Sequence, residues 1–113
     1  MSNDLKFYIN GEWINSDSNE LIDVINPANE EIIGQITAGT IEDINSAVDA
    51  ASEAFRSFSK SSKKERIDLL KNIIKEYENR YKDLAEVITK EMGAPQWLSD
   101  RAQANTGLIN FKE

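Results

Sequence analysis

Asp49 and Glu53 stand four residues apart and Glu30 and Glu31 are adjacent, the nearest this chain comes to paired groups that could do chemistry. Two carboxylates held together can act as a general acid and base, or ligate a hard cation. Nothing around either pair points to burial, and no EF-hand loop with its conformational glycine is present, so both pairs read as solvated charge. Lys60, Lys63, Lys64 and Arg66 form a basic cluster that would suit a phosphate. It falls at the start of a helical pattern, where the helix dipole disfavours cations, and no aromatic residues interleave it. The chain contains no Cys and no His. That removes disulfides, thiolate nucleophiles, thiolate metal sites and the commonest neutral metal ligand. No G-x-G-x-x-G turn is present to cradle a pyrophosphate, and no strand, turn and helix unit of that kind is expected. No residue is assigned a catalytic or cofactor-binding role.

Charge narrows the partners further. In 113 residues, 20 Asp and Glu oppose 13 Lys and Arg for a net charge of −7. Such a balance repels phosphate backbones and anionic bilayers, so neither nucleic acid nor a membrane is an expected partner. Apolar runs are only a few residues long, and the first residues lack a basic stretch followed by a hydrophobic one. A cytoplasmic location is expected.

The elements that must position these residues are legible from turn chemistry and period. Phe7-Tyr8-Ile9 and Glu12-Trp13 flank Asn10-Gly11, the dipeptide that accepts positive φ at both centres of a two-residue hairpin turn. Val24-Ile25 and Ile32-Ile33 flank a second turn opened by Asn26-Pro27, where Pro presets φ and Asn bonds its own backbone. From Thr40 the period changes to 3.6. Thr40 with Asp43 forms a capping-box arrangement, and Ile44, Val48, Ala51, Phe55 and Phe58 follow at helical spacing. Ser62 and Glu65 repeat the capping logic ahead of Ile67, Leu70, Ile74, Tyr77, Tyr81, Leu84 and Ile88, which Gly93 and Pro95 terminate. This stripe is too short, and too poor in flanking opposite charges, for a coiled coil and reads as core. Pro95 suits the first turn of a third helix bearing Leu98, Ala102, Leu108 and Ile109. The expected fold is α+β: hairpins over about residues 7–37, then three α-helices over about 41–58, 62–92 and 95–113.

In order and spacing, several of these pieces resemble the opening of the aldehyde dehydrogenases. Tyr8-Ile9-Asn10-Gly11-Glu12-Trp13, Ile25-Asn26-Pro27, Glu42-Asp43-Ile44, Ala47-Val48, Ala50-Ala51, Ala54-Phe55, Arg66 to Leu70, Leu84-Ala85-Glu86 and Glu91-Met92-Gly93-Ala94-Pro95 carry the likeness. Glu30 stands where the family usually has a turn glycine, and Ala94 replaces a frequent Lys. The resemblance implies that residues 1–113 are the leading part of an α/β cofactor-binding domain, incomplete as they stand. It implies a parent reaction in which a Cys attacks an aldehyde to form a thiohemiacetal, hydride passes to NAD or NADP, and a Glu-activated water releases the carboxylic acid. None of those reacting residues is in this chain, so the fragment by itself is expected to be inactive and to hold no cofactor. A non-enzymatic helical interaction module is the competing reading.

Two sites follow from the likeness alone. The family's structural Na⁺ or K⁺ site implies backbone oxygens of Val24 and Ile25 together with Glu91. The family's substrate tunnel implies Gln103, Thr106 and Asn110, a polar stripe at i, i+3 and i+7. Finally, apolar residues such as Tyr77, Tyr81, Ile88, Trp97 and Ile109 would lack cover in a chain ending at Glu113, so a homo-oligomer formed through its helices is expected.

Overall fold

Asn10 and Gly11 take φ of 53° and 83°, so both turn centres adopt the left-handed backbone that this dipeptide was expected to supply. They close β1 (Lys6–Ile9) on β2 (Glu12–Asn15) in a register that sets Tyr8 against Trp13 and Phe7 against Ile14. The pleat sends Phe7, Ile9 and Ile14 to a half-buried face and stacks the Tyr8 and Trp13 rings, centroids 5.2 Å apart, on the exposed one. The computed structural model describes residues 3–113, which divide into two units.

The first unit comprises residues up to Val24 together with Gly34–Ser61. It contains the first hairpin, most of β3 (Leu21–Ile25) and β4 (Ile32–Thr37), and α1 (Ile41–Phe58). Strands β3 and β4 pair with each other, and the Gln35 amide on one donates to Asp23 on the other at 2.8 Å. The buried Thr37 hydroxyl donates to the Leu5 carbonyl at 2.9 Å and ties β4 to the start of β1. Phe7 lies against Gly39, where a Cβ would come within 3.3 Å of the ring. α1 begins as its capping box predicts, with Thr40 accepting from the Asp43 amide and the Asp43 carboxylate accepting from the Thr40 amide.

The second unit comprises Ile25–Ile33, the tip of the second hairpin, and Ser62–Glu113. Asn26 bonds its own turn as expected, its side-chain oxygen accepting from the Ala28 amide at 2.9 Å. Glu30, in the place of a glycine, is forced to φ 61°, a conformation that costs a side-chain-bearing residue about 1–2 kcal/mol. α2 (Lys63–Asn79) opens on the expected Ser62–Glu65 capping box.

The single helix expected over residues 62–92 is instead two, because Arg80 leaves helical geometry at φ −106° and ψ 15° and separates α2 from α3 (Tyr81–Met92). No Gly or Pro marks the break. On either side of it, Tyr77 and Tyr81 each donate a hydroxyl to a carbonyl of the C-terminal helical run, those of Ala104 and Asp100. Gly93 ends α3 at φ 66°, as its position promised.

The helix expected over residues 95–113 is also interrupted. Pro95 sits one residue before the helix at ψ 142°; α4 (Gln96–Leu98) then passes into a π-helical turn over Ser99–Gln103 and on into α5 (Ala104–Lys112). A π turn widens the helix by about one residue and rotates everything beyond it relative to a 3.6 repeat. Among the described residues the only buried apolar side chains are Ala85 and Ala104, each 0% exposed, with Ser99 equally covered. α3 and the C-terminal run therefore meet through small residues.

Candidate functional site

Three places bear on function. The first is the start of α1. β4 runs through Gly39 into α1 in the order the sequence predicts, and the N-terminus of such a helix attracts anions. Here that position is already filled. The Asp43 carboxylate accepts from the Ser16 hydroxyl at 2.6 Å, the Thr40 amide at 2.8 Å and the Thr40 hydroxyl at 3.0 Å. These bonds, Ser16's foremost, hold the Asp43 carboxyl below its ordinary pKa. With Glu42 beside it in the first turn, the helix end presents negative charge and repels a pyrophosphate.

The second place is the turn between β3 and β4, facing the end of α3. Gly93 packs so closely on this turn that a Cβ there would lie 2.9 Å from the Ala28 amide nitrogen and 3.0 Å from Pro27. The segment that follows Glu91 is thereby seated on the turn that follows Ile25. Val24 and Ile25 are the last two residues of β3, Val24 half-buried and Ile25 52% exposed, and Glu91 is an exposed residue of α3's last turn. Main-chain carbonyls and one carboxylate are an all-oxygen donor set, the kind that hard cations take. No group of three or more His, Cys, Asp or Glu able to hold a metal occurs among the described residues.

The third place is the π-helical turn. Gln103 lies in it, half-buried, with its side-chain carbonyl oxygen buried and without a hydrogen-bond partner. Thr106 and Asn110 are exposed one and two turns on, and the Thr106 hydroxyl donates back to the Ala102 carbonyl at 2.8 Å. Thr106 and Asn110 lie in α5, just beyond the π turn that Gln103 closes. Ala102 and Ile109, expected among the apolar residues of this helix, are exposed as well.

Sequence reasoning missed the residues that build this region. Thr89 donates to Ser99 at 2.8 Å, and Tyr77 donates to Ala104 at 2.8 Å. Gly107 is where the Tyr77 ring passes, since a Cβ there would run into the Tyr77 hydroxyl. Burial, and secondarily the nearby Tyr81, raises the Tyr77 pKa. The one signal available was that two members of an otherwise aliphatic stripe were tyrosines, whose hydroxyls need partners when covered.

The sequence profile of the aldehyde dehydrogenase family matches residues 13–112. The chain belongs to the aldehyde dehydrogenase family. An aldehyde dehydrogenase crystal structure from Bartonella henselae superposes with a TM-score of 0.94 and 37% identity over 99% of this chain and 24% of its own. A variant of a Pseudomonas syringae aldehyde dehydrogenase, crystallised with NAD⁺ and octanal, gives a TM-score of 0.94 at 32% identity, covering 97% of this chain and 23% of that one. A Staphylococcus haemolyticus protein named as an aldehyde dehydrogenase is 50% identical over 113 residues, all of this chain and 24% of that protein. The chain thus spans about a quarter of the length of the curated relatives it matches. The superposition covers both hairpins and the helices, so the hairpin-then-helix order is that of the aldehyde dehydrogenase fold.

Proposed function

We propose that these 113 residues are the leading scaffold of the cofactor-binding domain of an NAD(P)-dependent aldehyde dehydrogenase that oxidises an aldehyde to a carboxylic acid, and that alone they do not turn over. The observation that carries this is a 0.94 TM-score over 99% of the chain against 24% of an aldehyde dehydrogenase, joined to the absence of any Cys. A covalent step at a thiolate is what prepares hydride transfer, and no carboxylate substitutes for it. NAD(P)⁺, bound in a complete enzyme, accepts the hydride. What this chain contributes is position: α1's start excludes anions by its own acids, and Gly93 fixes the end of α3 on the Asn26–Glu31 turn.

Two finer assignments accompany the proposal. Val24, Ile25 and Glu91 supply oxygen ligands to a Na⁺ or K⁺, and the contact of Gly93 with Pro27 and Ala28 supports this by seating the Glu91 end of α3 on the turn after Ile25. Gln103, Thr106 and Asn110 face the aldehyde's path, and the unpartnered buried oxygen of Gln103 favours a donor arriving there. The test is NADH appearance over a panel of aliphatic and aromatic aldehydes. None is expected. Turnover that survives a thiol-blocking reagent would refute the proposal, because a contaminating Cys-dependent enzyme would be silenced. Calorimetric titration with NAD⁺ is expected to show no saturable binding in the micromolar range.

A further inference from the structure

Asn10-Gly11 closes the first hairpin, and no other Asn or Asp of the chain is followed by Gly. Both residues are exposed, and nothing stands within 4 Å of where a Gly11 Cβ would lie. An asparagine in that setting is chemically labile, because the amide nitrogen of the next residue can attack its side-chain carbonyl carbon and a glycine puts no side chain in the way. Asparagines elsewhere are held or hindered. Asn26 precedes Pro27, which has no N–H to give, and its side chain accepts from the Ala28 amide at 2.9 Å. Asn29 is clamped on Glu31, donating to its carboxylate at 2.8 Å and accepting from its amide at 3.2 Å. Asn45 and Asn72 lie inside α1 and α2, where the following amide is committed to the helix. Asn19 is followed by the bulk of Glu20. Among the described residues no hydrogen bond engages the Asn10 carboxamide.

We propose that Asn10 is a site of spontaneous deamidation in this chain, with water as its only co-reactant, and that opening of the first hairpin sets the rate. The Gly11 nitrogen gives its proton to solvent base and bonds to Cγ of Asn10. The Cγ–Nδ2 bond breaks, ammonia leaves, and a cyclic imide closes. Water then opens the ring: cleavage at Cγ yields Asp, and cleavage at the main-chain carbonyl yields isoaspartate, in which the backbone runs through Cβ and Cγ. The folded turn restrains the first step. Asn10 and Gly11, at φ 53° and 83°, have the backbone of a type I′ turn, whose first centre takes ψ of about +30° as the mirror image of type I. That angle sets the Gly11 nitrogen across the Cα–C bond from the Asn10 side chain, and ring closure needs both on one side. The tip of the hairpin must therefore open, against the Tyr8 and Trp13 rings that pair across it. Isoaspartate then lengthens the backbone of a two-residue loop, and because loop length fixes register, the pairing of Tyr8 with Trp13 and of Phe7 with Ile14 is lost. Either product also makes the net charge of −7 one unit more negative.

Incubation of the 113-residue chain in mildly alkaline buffer, followed by peptide mapping with mass spectrometry and by an isoaspartyl methyltransferase as probe, is expected to show Asn10 converted ahead of every other Asn, with isoaspartate among the products. Denaturing urea, which removes the turn, should speed the conversion by roughly tenfold or more, since local opening of a paired strand has a free energy to overcome. Trp13→Ala deletes one cross-strand pair and should speed it by up to about fivefold in the folded chain. Asn10→Gly keeps the turn, because Gly-Gly takes the same backbone, and should abolish the acidic variant that ion exchange separates from the parent chain. First conversion at another Asn would overturn the proposal. So would a rate no slower in the folded chain than in urea, or an Asn10 that survives intact in both the native and the Trp13→Ala chains.

Discussion

α1 and the C-terminal helical run use helices in opposite ways. α1 has a clear amphipathic pattern and a complete capping box, yet no residue of it is buried. The run from α3 to α5 ends in a helix of weaker pattern and has two interruptions and no side-chain caps on α3, α4 or α5, yet it holds Ala85, Ser99 and Ala104 at 0% exposure. Local signals made the first helix; close approach made the second group. The difference teaches that hydrophobic periodicity reports which face a helix offers, whereas burial depends on whether small residues let another backbone arrive.

The sharpest way to break this contrast is at Gly107. Gly107→Ala places a methyl group where the Tyr77 hydroxyl lies, and overpacking at such a site costs about 1–3 kcal/mol. We expect a loss towards the upper end, read as a lower midpoint in urea denaturation followed by circular dichroism; an unchanged midpoint would mean that the Tyr77 ring moves freely and the contact is not tight. Next in size is Tyr77→Phe, which leaves the ring in place and removes only the hydroxyl bonded to the Ala104 carbonyl. Losing one hydrogen bond of this kind costs about 0.5–1.5 kcal/mol. Because burial raises the Tyr77 pKa, the folded state holds its proton more tightly than the unfolded chain. The native chain should therefore lose stability as pH rises beyond the ordinary tyrosine range, and Tyr77→Phe should flatten that loss.

On the α1 side, Thr40→Ala removes a cap, and losses of this kind run at about 1 kcal/mol. The pH dependence supplies a second readout there. The Asp43 carboxyl is held below its ordinary pKa by Ser16 and Thr40, so the stability it contributes is present at neutral pH and is lost as pH falls through its lowered folded value. Ser16→Ala should shrink that acid-side loss, measured as melting temperature against pH. The smallest effect is expected at Ile41→Ser. Ile41 is 72% exposed, and surface substitutions of this sort stay within about 0.5 kcal/mol. A large loss of monomer stability from this change would show that α1's stripe is covered within the chain, erasing the contrast.

Much of the fold was legible because its signals are local. Asn10-Gly11 has only one comfortable backbone, Thr40 with Asp43 and Ser62 with Glu65 fix two helix starts, and Gly93 takes the left-handed stop that its neighbours predicted. The site was less legible. Gln103 closes the π-helical Ser99–Gln103 turn, with Thr106 and Asn110 in the regular helix beyond it, and no residue pattern announces that turn. Likewise the bend at Arg80 has no Gly or Pro to announce it. It accompanies two tyrosine hydroxyls that reach carbonyls 27 and 19 residues away.

The amino-acid sequence by itself determined the element order, the hairpin turns, both capping boxes and the lack of a thiolate, since each depends on residues within a few positions or on composition alone. It also carried the aldehyde dehydrogenase likeness, which is a matter of motif order. Only the tertiary structure decided that Arg80 interrupts a helix, that a π turn interrupts the C-terminal one, and that α1 has no buried residue. The first two accompany contacts that Tyr77, Tyr81 and Ser99 make with distant residues. Contacts between residues far apart in the chain override a local preference whenever they are worth more than the fraction of a kcal/mol that separates one helical geometry from another.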